Sequence, residues 1–373
     1  MSSRRVLWLV KGLGPGGAER LLVAAATAHD RSRFHFEVAY LLPWKDHLVA
    51  ELEALDVPAH CLGVRDERDL RWAGRLRRFL RERPFDVLHA HSPYAAGIAR
   101  LVVRTLPGRQ RPQLVYTLHN TFSSFAAPTR VLNGLTYPLD AADLAVSEEV
   151  HATIWPRLRP RTEVLVHGIQ LGAVRAQLAS RASVRAELGI AADEVVAGTI
   201  ANFRRQKDYP NLLAAAEMLA ARRVPIRLVA VGQGPLESEM RALHDRLGLG
   251  DRVLLLGHRE DAVRVLAGCD VFTLASDNEG LPVALMEACA LGLPSVVTAV
   301  GGIPGVVHDD VEGVLVPPDD PAALADGLEA LAGDPARRAR LGAAATAASA
   351  HFDIRETVAR IEAIYDSILE PGR

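Results

Sequence analysis

The strongest constraint on the fold is a regular alternation between short apolar runs and longer stretches of helical periodicity. In the first half of the chain, the apolar runs predict strands at 6–10, 36–42, 87–90, 114–118 and 144–147. Helical patterns lie between them, at 19–28, 70–81 and 95–106. Continuously apolar strands that alternate with helices are typical of parallel sheets covered on both faces. The first half therefore predicts a doubly wound α/β domain.

The same alternation recurs in the second half of the chain. It predicts strands at 195–200, 227–231, 253–256, 271–274, 295–298 and 314–316. Because 373 residues are too many for one ordinary core, we expect two such domains. Apolar patterning lapses at 167–173, which predicts domains 1–168 and 169–353. The last stretch, 354–369, is an amphipathic helix with no strand after it.

The composition excludes several classes of protein. Three scattered cysteines fit a reducing cytoplasm, without disulfides or a clustered metal site. No apolar run reaches the roughly 18–20 residues that span a bilayer. The start leads directly into a strand, so we expect no secretory signal.

The net charge of −2 hides an asymmetry between the two halves. Residues 1–185 carry 26 Lys and Arg against 17 Asp and Glu, a balance of +9, whereas the remainder has 17 against 28, a balance of −11. A basic first half could attract an anionic lipid surface or a phosphorylated acceptor. Two domains with complementary faces would give the same asymmetry. We expect no nucleic-acid partner.

Ligands of open α/β sheets bind beyond the carboxyl ends of the strands, so chemistry is expected in the loops that follow strands. The first such loop contains Gly12, Gly14 and Gly17, which fit the pattern G-x-G-x-x-G. A dinucleotide site also needs an acidic residue at the end of the second strand, and the segment 40–44 has none. Pro15 is also unusual in such a loop. The pattern disfavours a nicotinamide or flavin cofactor and leaves a structural glycine turn open.

The strongest local signal is the segment 276–288, which follows a strand and opens a helix. Pro282 suits the first helical turn, where its missing N–H costs nothing. The free N–H groups of Gly280, Leu281 and the next turn could hold a diphosphate. Glu279 would lie at the mouth, near sugar hydroxyls, and Glu287 could accept both hydroxyls of a ribose. An acid complementing the helix dipole plus a solvated glutamate is the alternative explanation.

Glu279 and Glu287, eight residues apart, resemble the E-x7-E signature of glycosyltransferase family 4. The resemblance extends in order over nearly the whole chain, through the segments 16–20, 86–91, 117–119, 231–235 and 301–304. It implies a GT-B fold: two Rossmann-like domains facing across a cleft, with the terminal helix, 354–373, crossing back to the first domain. It also implies a nucleotide-sugar donor on the second domain, an acceptor on the first, and retention of anomeric configuration.

The resemblance assigns roles to single residues. Lys207 matches the lysine that neutralises the donor diphosphate. The arginine expected five residues earlier is replaced by Asn202, and we expect Arg204 to supply the missing charge. His119 would contact the donor sugar. The glycine loop would place Gly16 and Gly17 at the donor and Glu19 on the acceptor side.

The resemblance also implies a mechanism without a metal ion or other cofactor. Retention is assigned to same-face attack, with the leaving phosphate accepting the proton of the acceptor, so Glu279 would have no covalent role. We expect His89 to point into the core and His91 to reach the acceptor side, which argues against a metal pair. His167 and Gly305 depart from the family pattern N-G-I-D and from the glutamate after G-G-x-P.

The acceptor is the least defined part. It could be a lipid-linked saccharide, a growing polysaccharide or a small natural product with a hydroxyl group. The basic amphipathic helix at 70–81 could rest on the inner face of a membrane, but we favour an ordinary domain helix with Leu76, Phe79 and Leu80 inward. The loop 120–129, with Phe122 and Phe125, is expected to line the acceptor side. A non-catalytic nucleotide-sugar-binding homologue and a nucleotide-sugar epimerase are the other functions considered.

Overall fold

The computed structural model describes residues 3–14, 16–66 and 68–370, so that Pro15 of the glycine loop and the end of the predicted segment 354–373 lie outside the described residues. The chain divides into two compact units. Unit 1 comprises Met1–Gly168 and Ile354–Arg373, and unit 2 comprises Ile169–Asp353. None of the described helices is both long and apolar enough to cross a membrane.

Unit 1 is built on one parallel sheet. Its described strands are β1 (Arg4–Val10), β2 (Phe34–Tyr40), β3 (Ala59–Cys61), β4 (Val87–Ala90), β5 (Gln113–Leu118), β6 (Ala142–Ala145) and β7 (Thr162–Val164). They are arranged in the order β3-β2-β1-β4-β5-β6-β7, and every neighbouring pair runs parallel. The order reverses direction at β1 and β4, which is the switch point where such sheets bind ligands.

The helices of unit 1 cover this sheet. They are α1 (Gly17–Ala26), α2 (Val49–Ala54), α3 (Arg71–Glu82), α4 (Pro93–Arg104), α5 (Ala127–Thr136), α6 (Glu148–Ala152) and the terminal helix (Ile354–Leu369). α6 shows how sequence sets an end: the hydroxyl of Ser147 accepts a hydrogen bond from the N–H of Val150, which satisfies a free N–H of the first turn. α3 buries Trp72, Leu76 and Leu80, so it is a domain helix with its arginines outward.

The terminal helix completes the core of unit 1. Ile364 and Tyr365 belong to the same buried cluster as Trp8 and Phe34. The ring of Tyr365 lies 5.9 Å from that of Phe34 and 6.3 Å from that of Phe36. The predicted return of the terminal helix to the first domain is therefore confirmed.

A buried arginine joins α4 to α5 and to the start of β6. Arg100 is 1% exposed, and its guanidinium donates two hydrogen bonds of 2.9 and 2.5 Å to the separate oxygens of Asp140. It also donates to the side-chain oxygen of Asn133 at 2.5 Å. The rings of Tyr116 and Tyr137 lie 4.9 and 5.3 Å from the guanidinium carbon. These bonds and rings compensate the cost of burying the charge.

Unit 2 repeats the architecture. Its described strands are β8 (Val195–Ile200), β9 (Ile226–Val231), β10 (Val253–Gly257), β11 (Val271–Leu274), β12 (Ser295–Thr298) and β13 (Gly313–Val316). Their order is β10-β9-β8-β11-β12-β13, with parallel neighbours, and the switch point lies between β8 and β11. Its helices are α7 (Leu171–Ala176), α8 (Arg181–Glu187), α9 (Tyr209–Ala221), α10 (Glu237–Arg246), α11 (Ala262–Ala267), α12 (Val283–Ala290), α13 (Pro321–Gly333) and α14 (Pro335–Ala348).

The predicted class, two doubly wound parallel-sheet units, is confirmed. Each predicted strand and helix lies within two residues of an observed element at either end. β3 and β7 were not predicted, because each is a three-residue edge strand with too few residues to form an apolar run.

Candidate functional site

The switch point of unit 2 brings together two residues that lie far apart in the sequence. The loop after β8 carries Lys207 and the loop after β11 carries Glu279, and their side chains form an ion pair. Ser276 donates a hydrogen bond of 2.7 Å to the same carboxylate oxygen, Oε1. Glu279 is only 6% exposed. The carboxylate is therefore held in one orientation by a cation and a hydroxyl.

Backbone contacts clamp the loop that carries Glu279. The hydroxyl of Thr298 donates to the carbonyl of Ser276 at 2.6 Å, and the N–H of Gly302 donates to the carbonyl of Gly280 at 2.6 Å. Gly301 has a φ of +53°, and a Cβ atom there would overlap the carbonyl oxygen of Glu279. Only glycine fits both the left-handed backbone and the close approach. The pattern G-G-x-P is thereby explained as a clamp on the neighbouring loop.

A second clamp holds the loop that carries Lys207. A Cβ atom on Gly232 or Gly234 would overlap a carbonyl oxygen of that loop. The N–H of Asp277 donates to the carbonyl of Gln206 at 3.0 Å, which ties the two loops together. Lys207 ends a short 3-10 turn, and Asp208 follows with a φ of +42° and caps α9. Burial raises the pKa of Asp208 above its ordinary value.

The helix after Glu279 begins one residue later than predicted. α12 starts at Val283, and Pro282 is its cap, with an extended ψ of 126°. Pro282 therefore lies just outside the first turn, and its carbonyl accepts a hydrogen bond of 3.1 Å from the N–H of Leu285. Gly280 is buried and Leu281 half-buried just before the cap. Glu287 is half-buried on the fifth residue of the helix.

The basic residues of the Lys207 loop differ in their exposure. Arg204 and Arg205 are exposed, whereas Lys207 and Asn202 are half-buried. The N–H of Arg204 donates to the carbonyl of Asn202 at 2.7 Å, so the two residues lie in one tight bend. Arg204, which is predicted to supply the charge missing at Asn202, therefore lies beside that residue in the chain fold.

The corresponding edge of unit 1 carries neutral rings. We define the histidine stack as His89, His91, His119 and His167. The ring centroids of His89 and His91 are 4.2 Å apart, those of His91 and His119 5.3 Å, and those of His119 and His167 5.0 Å. A small cavity beside the stack is also lined by Tyr365 of the terminal helix.

The expected divergence of His89 and His91 is wrong. Residues two apart in a strand share a face, so the two rings lie side by side. His89 is buried in the core as predicted, with 1% of its surface exposed. Among the described residues, no group of three or more His, Cys, Asp or Glu side chains is arranged to hold a metal ion.

Burial keeps the histidine stack uncharged. It lowers the pKa of His89, His91 and His119 well below the ordinary value, and the neighbouring rings lower these pKa values further. Burial alone lowers the pKa of His167 to about 4. At neutral pH the stack therefore offers hydrogen-bond donors and acceptors without a net charge.

The glycine loop of unit 1 lies at the same edge as the histidine stack. α1 begins at Gly17, with Gly16 as its cap, and a Cβ atom on Gly16 would overlap the carboxylate of Glu19. The N–H of His91 donates to the carbonyl of Leu9 at 2.9 Å, which joins the loop after β4 to β1. The residues predicted on the acceptor side, Glu19 and His91, therefore share one sheet edge.

Phe122 does not line this edge. It is 1% exposed and packs edge-on against Trp155 at 5.7 Å, so it belongs to the core. Phe125 is half-buried. Three residues that contact the predicted site residues were not predicted from the sequence. They are Ser276 beside Glu279, His167 at the end of the histidine stack, and Tyr365, which contacts His89 of the stack. Of these, only His167 carried a signal, as a departure from the family pattern.

Two parallel doubly wound units, one of which holds a clamped Lys–Glu pair at its switch point, define the class of the GT-B glycosyltransferases. Residues 15–171 match the family model described as Glycosyltransferase Family 4, and residues 180–348 match the model described as Glycosyl transferases group 1. The chain belongs to glycosyltransferase family 4 and is a glycosyltransferase.

Individual relatives agree with this assignment. The D-inositol 3-phosphate glycosyltransferase of Saccharomonospora viridis is 31% identical over 304 residues, which are 75% of this chain and 70% of the relative. The N-acetyl-alpha-D-glucosaminyl L-malate synthase of Bacillus anthracis is 27% identical over 82% of this chain and 81% of its own. The crystal structure of Anabaena HepE in complex with UDP-glucose is similar in fold, with a TM-score of 0.85 at 23% identity, covering 97% of this chain and 99% of HepE.

Proposed function

We propose that the protein transfers a sugar from a nucleoside-diphosphate sugar to a hydroxyl group of an acceptor, with retention of anomeric configuration and without a metal ion. The observation that carries the proposal is the Lys207–Glu279 pair at the switch point of unit 2. It lies where parallel sheets bind ligands, and it precedes the amino end of α12.

The charge that grows on the leaving diphosphate is the main electrostatic demand of this reaction. Lys207 supplies a half-buried positive charge, and the exposed Arg204 supplies a second in the same loop. The free N–H groups before and within the first turn of α12 add partial positive charge, and Gly280 and Leu281 lie at that point. These groups together replace the work that a divalent cation would do.

Glu279 is proposed to orient the hydroxyls of the transferred sugar. The hydrogen bond from Ser276 and the ion pair with Lys207 fix its carboxylate before any substrate binds. Both interactions favour the charged carboxylate as an acceptor of sugar O–H groups. In this proposal the leaving phosphate oxygen takes the proton of the acceptor, and Glu279 forms no covalent bond.

The nucleoside is proposed to bind through Glu287. Its position on the fifth residue of α12 lies one turn beyond the proposed diphosphate site, which suits the two hydroxyls of a ribose. The bend at Asn202 is proposed to contact the donor as well. The relative HepE was crystallised with UDP-glucose, which favours uridine over guanosine as the base.

The acceptor is proposed to bind at the edge of unit 1 that carries Glu19 and His91, and His119 is proposed to contact the transferred sugar. Two relatives are named for inositol 3-phosphate and L-malate, which are anions with hydroxyl groups. A phosphorylated or carboxylated acceptor would suit the positive balance of residues 1–185. A lipid-linked saccharide in the same class would place the protein at the inner face of the membrane, with the arginines of α3 nearest the lipid.

Thermal shift against UDP-, GDP-, ADP- and dTDP-sugars in the presence of EDTA tests the donor site. At 100 times the Kd, a bound donor stabilises the folded protein by about 2.7 kcal/mol. We expect one nucleotide class to raise the Tm of the wild type and of Glu217→Ala, an exposed glutamate on α9, but not of Glu287→Ala. The anomeric configuration of the product, read by proton NMR, tests retention. Binding without transfer or hydrolysis would identify a non-catalytic homologue, and conversion of the donor without acceptor would identify an epimerase.

A further inference from the structure

Two neutral imidazole rings share a hydrogen bond at the edge of unit 1. Nδ1 of His91 lies 3.1 Å from Nε2 of His119. Because both rings are uncharged, one of these nitrogens carries the proton and the other accepts with its lone pair. The direction of this bond decides which nitrogen of His119 is left to face a substrate.

The surroundings of His91 determine the direction. Its second nitrogen, Nε2, is buried and has no hydrogen-bond partner among the described residues. If Nδ1 accepted, Nε2 would carry a buried, unpaired N–H, which is rarer in proteins than an under-used acceptor. If Nδ1 donates, Nε2 keeps only a lone pair.

We propose that His91 donates from Nδ1 to Nε2 of His119 and so holds His119 in the tautomer that carries its proton on Nδ1. His91 is then a positioning residue, and His119 presents an N–H to the substrate. This inference rests on the proposed function for one point only, the contact between His119 and the reacting sugar.

A chain of hydrogen bonds fixes the ring on which His91 rests. Nδ1 of His89 lies 2.6 Å from the hydroxyl of Tyr365, and Nε2 lies 2.7 Å from the hydroxyl of Thr117. Both ring nitrogens of His89 are therefore used in hydrogen bonds, whichever of them carries the proton. His89 is thereby locked, and its ring supports that of His91 at 4.2 Å.

His119 is held from its other side as well. The ring of His167 stacks on it at 5.0 Å, with only 10° between the two planes. Rotation of the His119 ring would break both this stack and the hydrogen bond to His91. The tautomer and the ring plane are therefore set before any substrate binds.

The chemical consequence concerns the kind of atom that His119 recognises. An Nδ1–H donates to an oxygen lone pair, such as that of a sugar hydroxyl or of a phosphate. The lone pair on Nε2 is already used by His91, so His119 does not serve as a general base through that nitrogen. Substrates that place a deoxy carbon at this point would lose the bond.

Nitrogen NMR of protein labelled with 15N-histidine tests the tautomer without any substrate. Protonated and unprotonated ring nitrogens resonate far apart, and the signals of His119 are assigned by their absence from His119→Asn. We expect a protonated Nδ1 and an unprotonated Nε2 in the wild type. His91→Phe, which keeps a flat ring but donates nothing, should shift His119 towards the Nε2–H tautomer that a free ring prefers. It should also lower kcat about tenfold, the value of roughly one hydrogen bond.

Two further variants separate positioning from folding. His91→Asn places an amide N–H near the position of Nδ1 and should restore both the nitrogen shifts and most of the activity. His35→Phe, a half-exposed histidine on β2, should leave the signals of His119 unchanged. A wild-type His119 protonated on Nε2, or shifts that are indifferent to His91→Phe, would overturn the inference. Correct shifts combined with no transfer from any donor would refute the proposed function and leave the inference intact.

Discussion

The two units share a strand order but differ in the chemistry at the carboxyl edge of the sheet. In unit 2, the loops after β8 and β11 present an ion pair, Lys207 and Glu279, between glycine clamps. In unit 1, the loops after β4 and β5 present His91 and His119, whose rings burial keeps neutral. The same topology therefore supports one charged edge and one uncharged edge.

The two edges are held ready for a substrate in different ways. The charged edge of unit 2 relies on close backbone approach, because only glycine at 232, 234 and 301 lets the loops meet. The neutral edge of unit 1 relies on stacked rings and on a chain of hydrogen bonds that reaches the terminal helix. Fixed charges suit a diphosphate, whereas fixed neutral donors suit hydroxyl groups.

The largest effect is expected from Arg100→Ala, which should destabilise unit 1 selectively. The substitution leaves Asp140 buried and unpaired, so the free energy of unfolding of unit 1 should fall by about 3–5 kcal/mol. All four tryptophans lie in unit 1, at positions 8, 44, 72 and 155, so tryptophan fluorescence during urea unfolding reports this unit. An exposed arginine on the same helix provides the control, Arg104→Ala, for which we expect a change under 1 kcal/mol. If the two variants unfolded at the same urea concentration, the expected stabilisation by the buried Arg100–Asp140 pair would be contradicted.

The next effect concerns the charged edge. Lys207→Ala should lower kcat by about 100–1,000-fold, because it removes a positive charge from the leaving group. Arg205→Ala, which alters an exposed residue of the same short turn, should change kcat by less than about fivefold. Steady-state rates with the donor found by thermal shift measure both. Similar losses in the two variants would show that the loop needs only general positive charge.

The smallest effect is a pH dependence of stability that we expect for unit 1, whose sheet edge carries the histidine stack. Burial lowers the pKa of His167 to about 4, so the folded unit rejects a proton that the unfolded chain binds below about 6.5. The stability of unit 1 is thus complete above pH 6.5 and declines as the pH falls towards 4. His167 alone should cost about 2 kcal/mol at pH 5 relative to pH 7. His167→Asn, the residue common in the family, should remove this share of the pH dependence of urea unfolding followed by tryptophan fluorescence. The share of His89, His91 and His119 should remain.

The sequence predicts the fold well because buried parallel strands must be apolar throughout. The run at 271–274 coincides with β11 for this reason. β3 and β7 have only three residues each, which is too short for such a run, so the sequence did not predict them.

The candidate site was only partly predictable. Glu279 and Glu287 lie on one short segment, so their spacing alone carries information, and Lys207 was found only through the resemblance to family 4. The contacts of Tyr365 with His89 and of Ser276 with Glu279 depend on how packed elements meet. Neither the hydrophobic periodicity nor the spacing of residues in the sequence predicts such contacts. The roles of these residues in transfer stay predictions until the variants are measured.

The terminal helix has a consequence for biosynthesis. Unit 2 is continuous in the chain, whereas the core of unit 1 lacks Ile364 and Tyr365 until these residues emerge from the ribosome. At 5–20 residues per second, translation of 169–353 takes on the order of 10–40 s. During that interval the core side chains in the segment 1–168 lack their contacts with the terminal helix. The later-made unit therefore matures first, and a chain truncated before Ile354 would leave an incomplete unit for chaperones and proteases.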